Sequence, residues 1–342
     1  MVRNVKRALR SLVEGTVAPL APFVWRAQPA PRLLILMYHR VLPREHPDRA
    51  SEQPGMYVSP ETLATHIRLL RRYFEIVHLD EWVQRAANGQ PLPRLGCALT
   101  FDDGWRDNFE YAFPILRAEA VPATIYLLSD LMGTQYRLWP NRLARLLADA
   151  LSNEVYVSWP DWLRREIAAA TVARAVPLPL SAAQIDVVIT RCKELESDEA
   201  MLAILDAIER AAGRHTDTER DLLDWDEVRQ MAASGLIRFG SHTRRHIRLD
   251  AHTKPEVLQQ EICESRTTIE RQLGTPVRSF CYPNGDHCPA AVDLVRRCYS
   301  AAVTTQRAWN TRTSNRHLLS RVGVHEDVSC TPRAFLARLA LA

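Results

Sequence analysis

Short apolar runs alternate with amphipathic segments along much of this chain, and this alternation limits the folds open to it. The runs at residues 33–41, 97–101 and 123–128 are each long enough for one buried strand, and segments with helical spacing lie between them. Continuous apolar strands are typical of a parallel sheet that is covered on both faces. The pattern therefore predicts an α/β barrel, with functional side chains at the carboxyl ends of its strands.

The alternation is interrupted between residues 133 and 223. This stretch has helical spacing at 141–151, 181–196 and 198–212, and its one candidate strand is 153–159. We predict three parts: a basic N-terminal arm (1–31), a barrel domain (32–132 and 224–342) and a mainly helical insertion (133–223). Within the insertion, Trp139, Trp159 and Trp162 either pack together or form a lid on which a sugar stacks.

Two adjacent carboxylates follow the run at 97–101, in the segment Thr100-Phe101-Asp102-Asp103-Gly104. One carboxylate of such a pair can bind a metal ion while its neighbour acts as a base. Asp and Gly are also ordinary turn residues after a strand, so this segment alone does not identify a site.

A second polar segment, Ser241-His242-Thr243-Arg244-Arg245-His246, follows the apolar stretch at 236–239. Histidines four residues apart reach the same side of a helical turn. Two imidazoles and one carboxylate are the ligand number of a catalytic metal site that keeps one position for water. We assign Asp103, His242 and His246 as metal ligands and Asp102 as the base, a set suited to hydrolysis of an acyl bond.

These two motifs, in this order, resemble those of the polysaccharide deacetylase family, also called the NodB homology domain or carbohydrate esterase family four. The resemblance implies a distorted, incomplete (β/α)7-type barrel that removes N-acetyl groups from amino sugars. It also implies that the first Asp is the base and that the second binds one divalent metal ion together with both histidines. We expect zinc, although cobalt, nickel, iron and manganese accept the same ligands.

The third family motif, Arg-x-Pro-x-Gly, corresponds here to Cys281-Tyr282-Pro283-Asn284-Gly285. Its turn residues are retained, so the backbone N–H of Asn284 is a candidate donor to the oxyanion. In the family the arginine orients the base, and Cys281 replaces it here. We expect Arg321, in the apolar run at 318–324, to supply the missing charge from another strand.

Three further residues are weaker candidates. His325 follows the run at 318–324 and is either the general acid that protonates the leaving amine or a loop histidine beside two acidic residues. His39 ends the first apolar run and either borders the pocket or forms a hydrogen bond at the barrel rim. Trp309 is the only candidate for the groove-lining tryptophan of the fourth family motif.

The resemblance implies a substrate that contains an N-acetylated hexosamine, within a polysaccharide, a lipopolysaccharide or a lipid-linked glycan. Two other classes of function stay open. One is a sugar O-acetyl esterase, or another acyl or cyclic-amide hydrolase, on the same fold. The other is a glycan-binding protein that has lost turnover, which the missing third-motif arginine favours. Retention of Asp102 argues against that reading, because a binding protein needs no base beside the metal.

Charge and cysteine content limit the partners and the compartment. The net charge of +4, without a nucleic-acid motif, predicts no nucleic-acid partner. The arm is basic and then apolar, as in a surface helix or a segment that lies on an anionic membrane, and prolines 19 and 22 interrupt any signal-peptide core. Seven cysteines without a Cys-x-x-Cys pair argue against a secreted disulfide framework. We expect a cytoplasmic location, peripheral to the inner membrane if the arm binds lipid, in preference to the periplasm. The sequence does not indicate the oligomeric state.

Overall fold

The computed structural model describes residues 2–27, 29, 31–149, 153–171, 179–213 and 220–342. The helices are α1 (Val2–Ala27), α2 (Pro60–Tyr73), α3 (Leu79–Ala87), α4 (Phe113–Ala118), α5 (Trp139–Ala148), α6 (Asn153–Val157), α7 (Asp161–Ala170), α8 (Ala182–Leu195), α9 (Asp198–Ala211), α10 (Trp225–Ala233), α11 (Pro255–Gln259), α12 (Ser265–Leu273), α13 (Pro289–Cys298), α14 (Glu326–Ser329) and α15 (Pro332–Ala340). The strands are β1 (Arg32–Tyr38), β2 (Arg40–Val41), β3 (Tyr57–Val58), β4 (Glu75–Ile76), β5 (Leu95–Phe101), β6 (Ala123–Leu127), β7 (Ile237–Ser241), β8 (Ser279–Cys281), β9 (Ala301–Val303), β10 (Asn310–Thr311) and β11 (Val322–Gly323). Single turns of π-helix at Asn108–Ala112 and Gln260–Glu264 precede α4 and α12.

Six parallel strands form a curled, barrel-like sheet, and a seventh strand, β11, lies beside β1. Neighbouring strands pair in the order β1, β5, β6, β7, β8, β9. The backbone of Leu319 then pairs with that of Val303 in β9, and β11 pairs in parallel with β1. Each strand of such a barrel ends at the same rim, so the residues after β5, β7 and β8 are brought together although they are far apart in sequence.

Local sequence signals explain the helices around the barrel. Ser59 caps α2 by accepting a hydrogen bond from the Thr62 backbone N–H, and Pro60 occupies the first turn, where it costs no hydrogen bond. Leu63, Ile67 and Leu70 recur every three or four residues and are buried. Their spacing gives α2 one apolar face, which is why the helix could be predicted from the sequence alone.

The chain divides into two compact units. One comprises Met1–Val41, Tyr57–Thr134 and Leu222–Ala342, and it contains the barrel; the other comprises Leu42–Met56 and Gln135–Asp221. The second unit has its own apolar core, to which Trp139 and Trp159 contribute and against which Trp162 packs. These tryptophans therefore have a packing role. The predicted boundaries of the insertion, 133 and 223, stay predictions.

The structure corrects two expectations about individual segments. The candidate strand at 153–159 is wrong, because Asn153–Val157 forms the helix α6. Trp309 does not line the functional rim. It packs against Trp25 and Phe74, next to β10, which pairs with the first residues of β1 at the opposite end of the barrel.

One disulfide joins two helical segments on the outside of the barrel. Cys263, in the π-helical turn before α12, is bonded to Cys298 at the end of α13. The sequence did not reveal this pair, because cysteines 35 residues apart meet only when both helices pack on the barrel. Cys97, Cys192, Cys281, Cys288 and Cys330 are free.

Candidate catalytic and metal site

The two adjacent aspartates leave β5 in a tight turn at the rim. The Asp102 N–H donates to the Tyr38 carbonyl and so extends the pairing with β1 by one residue. Asp103 and Gly104 both have φ of 72°. A Cβ at Gly104 would lie 2.9 Å from Cδ2 of Leu127, so only glycine fits the turn. The left-handed turn allows the two neighbouring carboxylates to face different partners.

Asp103 faces both predicted histidine ligands. Its Oδ1 lies 3.3 Å from Nε2 of His242 and 3.5 Å from Nε2 of His246, while its Oδ2 accepts a 2.9 Å hydrogen bond from Nε1 of Trp105. Among the described residues, no donor hydrogen-bonds to the buried Oδ1. A buried carboxylate oxygen without a donor is costly unless a cation satisfies it.

His242 is oriented so that Nε2 faces Asp103. Its Nδ1 donates a 2.8 Å hydrogen bond to the Cys281 carbonyl, which can only accept, so the lone pair of the neutral ring lies on Nε2. Burial lowers the pKa of His242, but the neighbouring Cys281 and Asp103 raise it well above its ordinary value. The negative potential of its neighbours thus favours a positive charge at this point.

A buried acid that sequence reasoning missed holds the loop between the histidines. Oε2 of Glu261 accepts hydrogen bonds of 2.8 and 3.1 Å from the backbone N–H groups of Arg244 and Arg245. Glu261 lies in the π-helical turn that precedes α12, 17 and 16 residues after Arg244 and Arg245. No local pattern marks it, because its role depends on how this helix packs beside β7.

Asp102 forms a buried ion pair with Arg321. The guanidinium binds both carboxylate oxygens, with Nη1 to Oδ1 and Nη2 to Oδ2 each at 2.7 Å. Burial raises the pKa of Asp102, but the Arg321 charge more than offsets this and holds the pKa below its usual value. Arg321 thus reaches Asp102 from the segment directly before β11, and Asp102 is ionised at neutral pH.

Cys281 completes this cluster at the position of the family's third-motif arginine. Its Sγ lies 3.1 Å from Nη2 of Arg321 and 3.5 Å from Oδ2 of Asp102. Asp102, His242 and Cys281 thus lie close enough together to suggest a second metal-binding group, as do Asp103, His242 and His246. The group of Asp103, His242 and His246 fits a metal better. Both oxygens of Asp102 are already bound to Arg321, whereas Oδ1 of Asp103 has no donor among the described residues.

The other predicted residues lie at the same rim. Nε2 of His39 is 3.9 Å from Oδ2 of Asp102, so His39 borders the site. His325 follows β11, and its Nδ1 lies 3.2 Å from Oδ2 of Asp327. Asn284 follows β8 in a left-handed turn with φ of 55°. The structure thus brings Asp102, Asp103, His242, His246, Arg321 and His39 into direct proximity, whereas the observed partner of His325 is Asp327.

Unusual backbone conformations concentrate at this rim. Five described residues other than glycine have positive φ, and four of them belong to the site: Asp103, Thr243, His246 and Asn284. Such conformations cost free energy and persist where the surrounding structure imposes them, most often at functional sites. The concentration supports a functional role for this end of the barrel.

Comparison with known family models identifies the family of this chain. Residues 90–166 and 197–302 match the family model described as polysaccharide deacetylase, which is more than half of the chain. The chain belongs to the polysaccharide deacetylase family. This is a family of hydrolases, and the match includes Asp102, Asp103, His242, His246 and the turn at Asn284. Arg321 and His325 lie beyond the matched segments.

Individual members of the deacetylase family are distant from this chain. YxkH of Bacillus subtilis, named for the same family, is 25% identical over 126 residues, which is 36% of this chain and 41% of YxkH. The Streptococcus pyogenes deacetylase PplD is 16% identical, with a TM-score of 0.60 over 91% of this chain and 99% of PplD. IcaB from Ammonifex degensii is 18% identical, with a TM-score of 0.57 over 92% of this chain and 98% of IcaB. The predicted fold class is confirmed.

Proposed function

We propose that this chain is a metal-dependent hydrolase that removes N-acetyl groups from amino sugars of a glycan. One observation carries the proposal: an ionised carboxylate, Asp102, lies directly beside a cluster of one carboxylate and two imidazoles in which a buried carboxylate oxygen has no donor among the described residues. A base beside a cation site is an arrangement for hydrolysis, since binding alone requires only the cation site.

Asp103, His242 and His246 would hold the metal. A divalent ion bound there supplies Lewis acidity, which polarises an acyl carbonyl and lowers the pKa of a water. Trp105 fixes the other oxygen of Asp103, and the Cys281 carbonyl fixes the ring of His242. These contacts orient the ligands before an ion binds and so reduce the cost of assembling the site.

Asp102 accepts the proton of the attacking water, and Arg321 keeps it ionised for that role. The guanidinium also fixes the direction of the carboxylate through two parallel hydrogen bonds. The backbone N–H of Asn284 donates to the oxyanion, and His325 protonates the leaving amine, with Asp327 positioning its ring. The roles of Asn284 and His325 rest on their place after β8 and β11 and on the family resemblance.

The substrate we propose contains N-acetylated hexosamine within a polysaccharide, a lipopolysaccharide or a lipid-linked glycan. Family membership supports an acetylated glycan, and PplD, one of the similar structures, is a deacetylase determined in complex with acetate. Amide hydrolysis is favoured over ester hydrolysis by the presence of a candidate acid, because an amine leaves far less readily than an alkoxide unless it is protonated.

The test measures release of acetate and of free amine from N-acetylhexosamine oligomers by protein reconstituted with zinc. Asp102→Asn removes the base and is expected to reduce turnover by about 10²–10⁴-fold while metal content is retained. His242→Ala is expected to lose both activity and bound metal. Asp186→Asn, in the second unit, serves as the matched control and keeps full activity.

The products separate the alternatives. Acetate without free amine would identify an O-acetyl esterase. Stoichiometric zinc with tight glycan binding and no product, equal in wild type and Asp102→Asn, would identify a binding protein and contradict the proposal.

A further inference from the structure

In its described C-terminal part, residues 15–27, helix α1 contacts the barrel unit through one face. Ala18, Ala21 and Trp25 recur at intervals of three and four residues and are buried. The helix packs along α15, and the indole of Trp25 contacts Phe74. The C-terminal half of α1 is therefore a docked helix of the barrel unit.

The opposite face of the same turns is apolar and exposed. Leu20 is 58% exposed, Phe23 71% and Val24 45%. Seven large apolar residues are exposed in the described part of the chain, and three of them fall within these five positions. Single exposed apolar residues are ordinary, but a group on one helix face indicates a surface that becomes covered.

The sequence of α1 extends this pattern toward its N-terminus and adds positive charge. Leu9, Val13, Leu20 and Val24 are separated by four, seven and four residues, the spacing of one helix face. The first ten residues carry Arg3, Lys6, Arg7 and Arg10 and no acidic residue. An apolar stripe flanked by cationic residues is typical of a helix that lies in the interface of an anionic bilayer. A second copy of this chain would instead bring these cations together, which is unfavourable.

We propose that α1 binds the surface of an anionic lipid bilayer, with Leu20, Phe23 and Val24 entering the headgroup region and the basic residues contacting lipid phosphates. None of the described helices combines the length and hydrophobicity needed to cross a bilayer. The attachment that we propose is that of an interfacial helix, and it depends on ionic strength through its electrostatic part. This attachment would place the barrel domain at a membrane surface. The proposal does not depend on the proposed substrate.

The experiment is co-sedimentation of the full chain with vesicles of phosphatidylcholine alone and of phosphatidylcholine mixed with phosphatidylglycerol. Wild type is expected to sediment with the mixed vesicles, and less at high salt. The double variant L20E/F23E is expected to bind at least about tenfold more weakly, since two apolar side chains are replaced by anions. The variant K6E/R10E is expected to lose the preference for the anionic lipid.

The matched control is V187E/L195E, because both residues are apolar and 49% exposed but lie on α8 in the second unit. It is expected to bind vesicles as wild type does. Thermal unfolding of all variants verifies that they are folded. Equal sedimentation of wild type and L20E/F23E would overturn the proposal, as would absence of binding to the mixed vesicles. A wild-type dimer that L20E/F23E converts to a monomer, without lipid binding, would assign the face to a second copy of this chain.

Discussion

At the scale of single residues, Arg321 determines whether Asp102 is a base at neutral pH. The two side chains are buried together, and the guanidinium is the main group that lowers the pKa of Asp102 against the effect of burial. Ionised Asp102 contributes stability above its unfolded pKa of about 3.9, and this contribution is lost as pH falls through the lower folded value.

Arg321→Gln is therefore expected to raise the pKa of Asp102. Activity requires the carboxylate, so the acidic limb of the kcat/KM profile should move to higher pH, and activity at neutral pH should fall. Leaving the carboxylate buried without its partner should also cost about 3–5 kcal/mol of unfolding free energy. Arg321→Lys retains the positive charge but not the two parallel hydrogen bonds. It should therefore shift the acidic limb of the kcat/KM profile less. An unmoved acidic limb in a folded Arg321→Gln variant would show that Asp102 does not need this charge.

Glu261 is expected to support metal binding without contacting the metal. Replacing it by Ala frees the N–H groups of Arg244 and Arg245 and loosens the loop that carries both histidines. Zinc affinity, measured by competition with a chromophoric chelator, should fall about 10–100-fold. Glu264→Ala is the matched control, since the Glu264 carboxylate accepts from the Arg244 guanidinium and, among the described residues, from no backbone N–H of the loop. Equal affinities for the two variants would refute this role.

At the scale of elements, either of two strands can place an arginine beside the base. The family places the arginine at the end of the strand that is β8 here, whereas this chain places it just before β11. An arginine introduced at position 281 would lie next to the same carboxylate, because Sγ of Cys281 is 3.5 Å from Oδ2 of Asp102.

The double variant C281R/R321A is therefore expected to recover activity relative to R321A, by about tenfold or more given the value of a correctly placed charge. Steady-state kinetics at saturating zinc measures the recovery, and C281A/R321A controls for the change in volume. If both double variants are equally inactive although folded, the position of the charge is not exchangeable between these strands.

The disulfide joins a second pair of elements. One is the π-helical turn that contains Glu261, and the other is α13. Cys263→Ser opens a loop of 35 residues and is expected to lower the unfolding free energy by about 2–4 kcal/mol under oxidising conditions. Denaturant titration measures the loss, and Cys330→Ser, at an exposed free cysteine, should leave the stability unchanged. A reductant should abolish the difference between wild type and Cys263→Ser.

At the scale of the whole molecule, metal removal should destabilise the chain. The unsatisfied oxygen of Asp103 makes the folded state bind cations that the unfolded state does not, so zinc at one hundred times its Kd should add about 2.7 kcal/mol. The midpoint of thermal unfolding, with zinc and with a chelator, checks this. The unfolding midpoint of Asp103→Asn should change with neither zinc nor the chelator. A zinc-dependent shift equal to that of the wild type would place the ion elsewhere.

The sequence predicted the barrel well because its strands are continuous apolar runs and its helices carry caps, as at Ser59. The aspartate pair and both histidines could also be predicted, since they follow strands. Glu261 and the partner of Cys263 could not be predicted, because they act through helices packed outside the barrel. Trp309 was misplaced for a related reason: it lies between β9 and β10, and the sequence did not show that this segment returns to the opposite end of the barrel, where β10 pairs with the first residues of β1.

The ion pair between Asp102 and Arg321 has a consequence for synthesis of the protein. A nascent chain that has emerged as far as Ser300 already contains every proposed metal ligand, yet it lacks the guanidinium. Such a chain has no guanidinium beside Asp102, so any burial of this carboxyl would raise its pKa. We therefore expect the ionised carboxylate to be among the last features of the site to form, because it depends on the addition of the segment before β11.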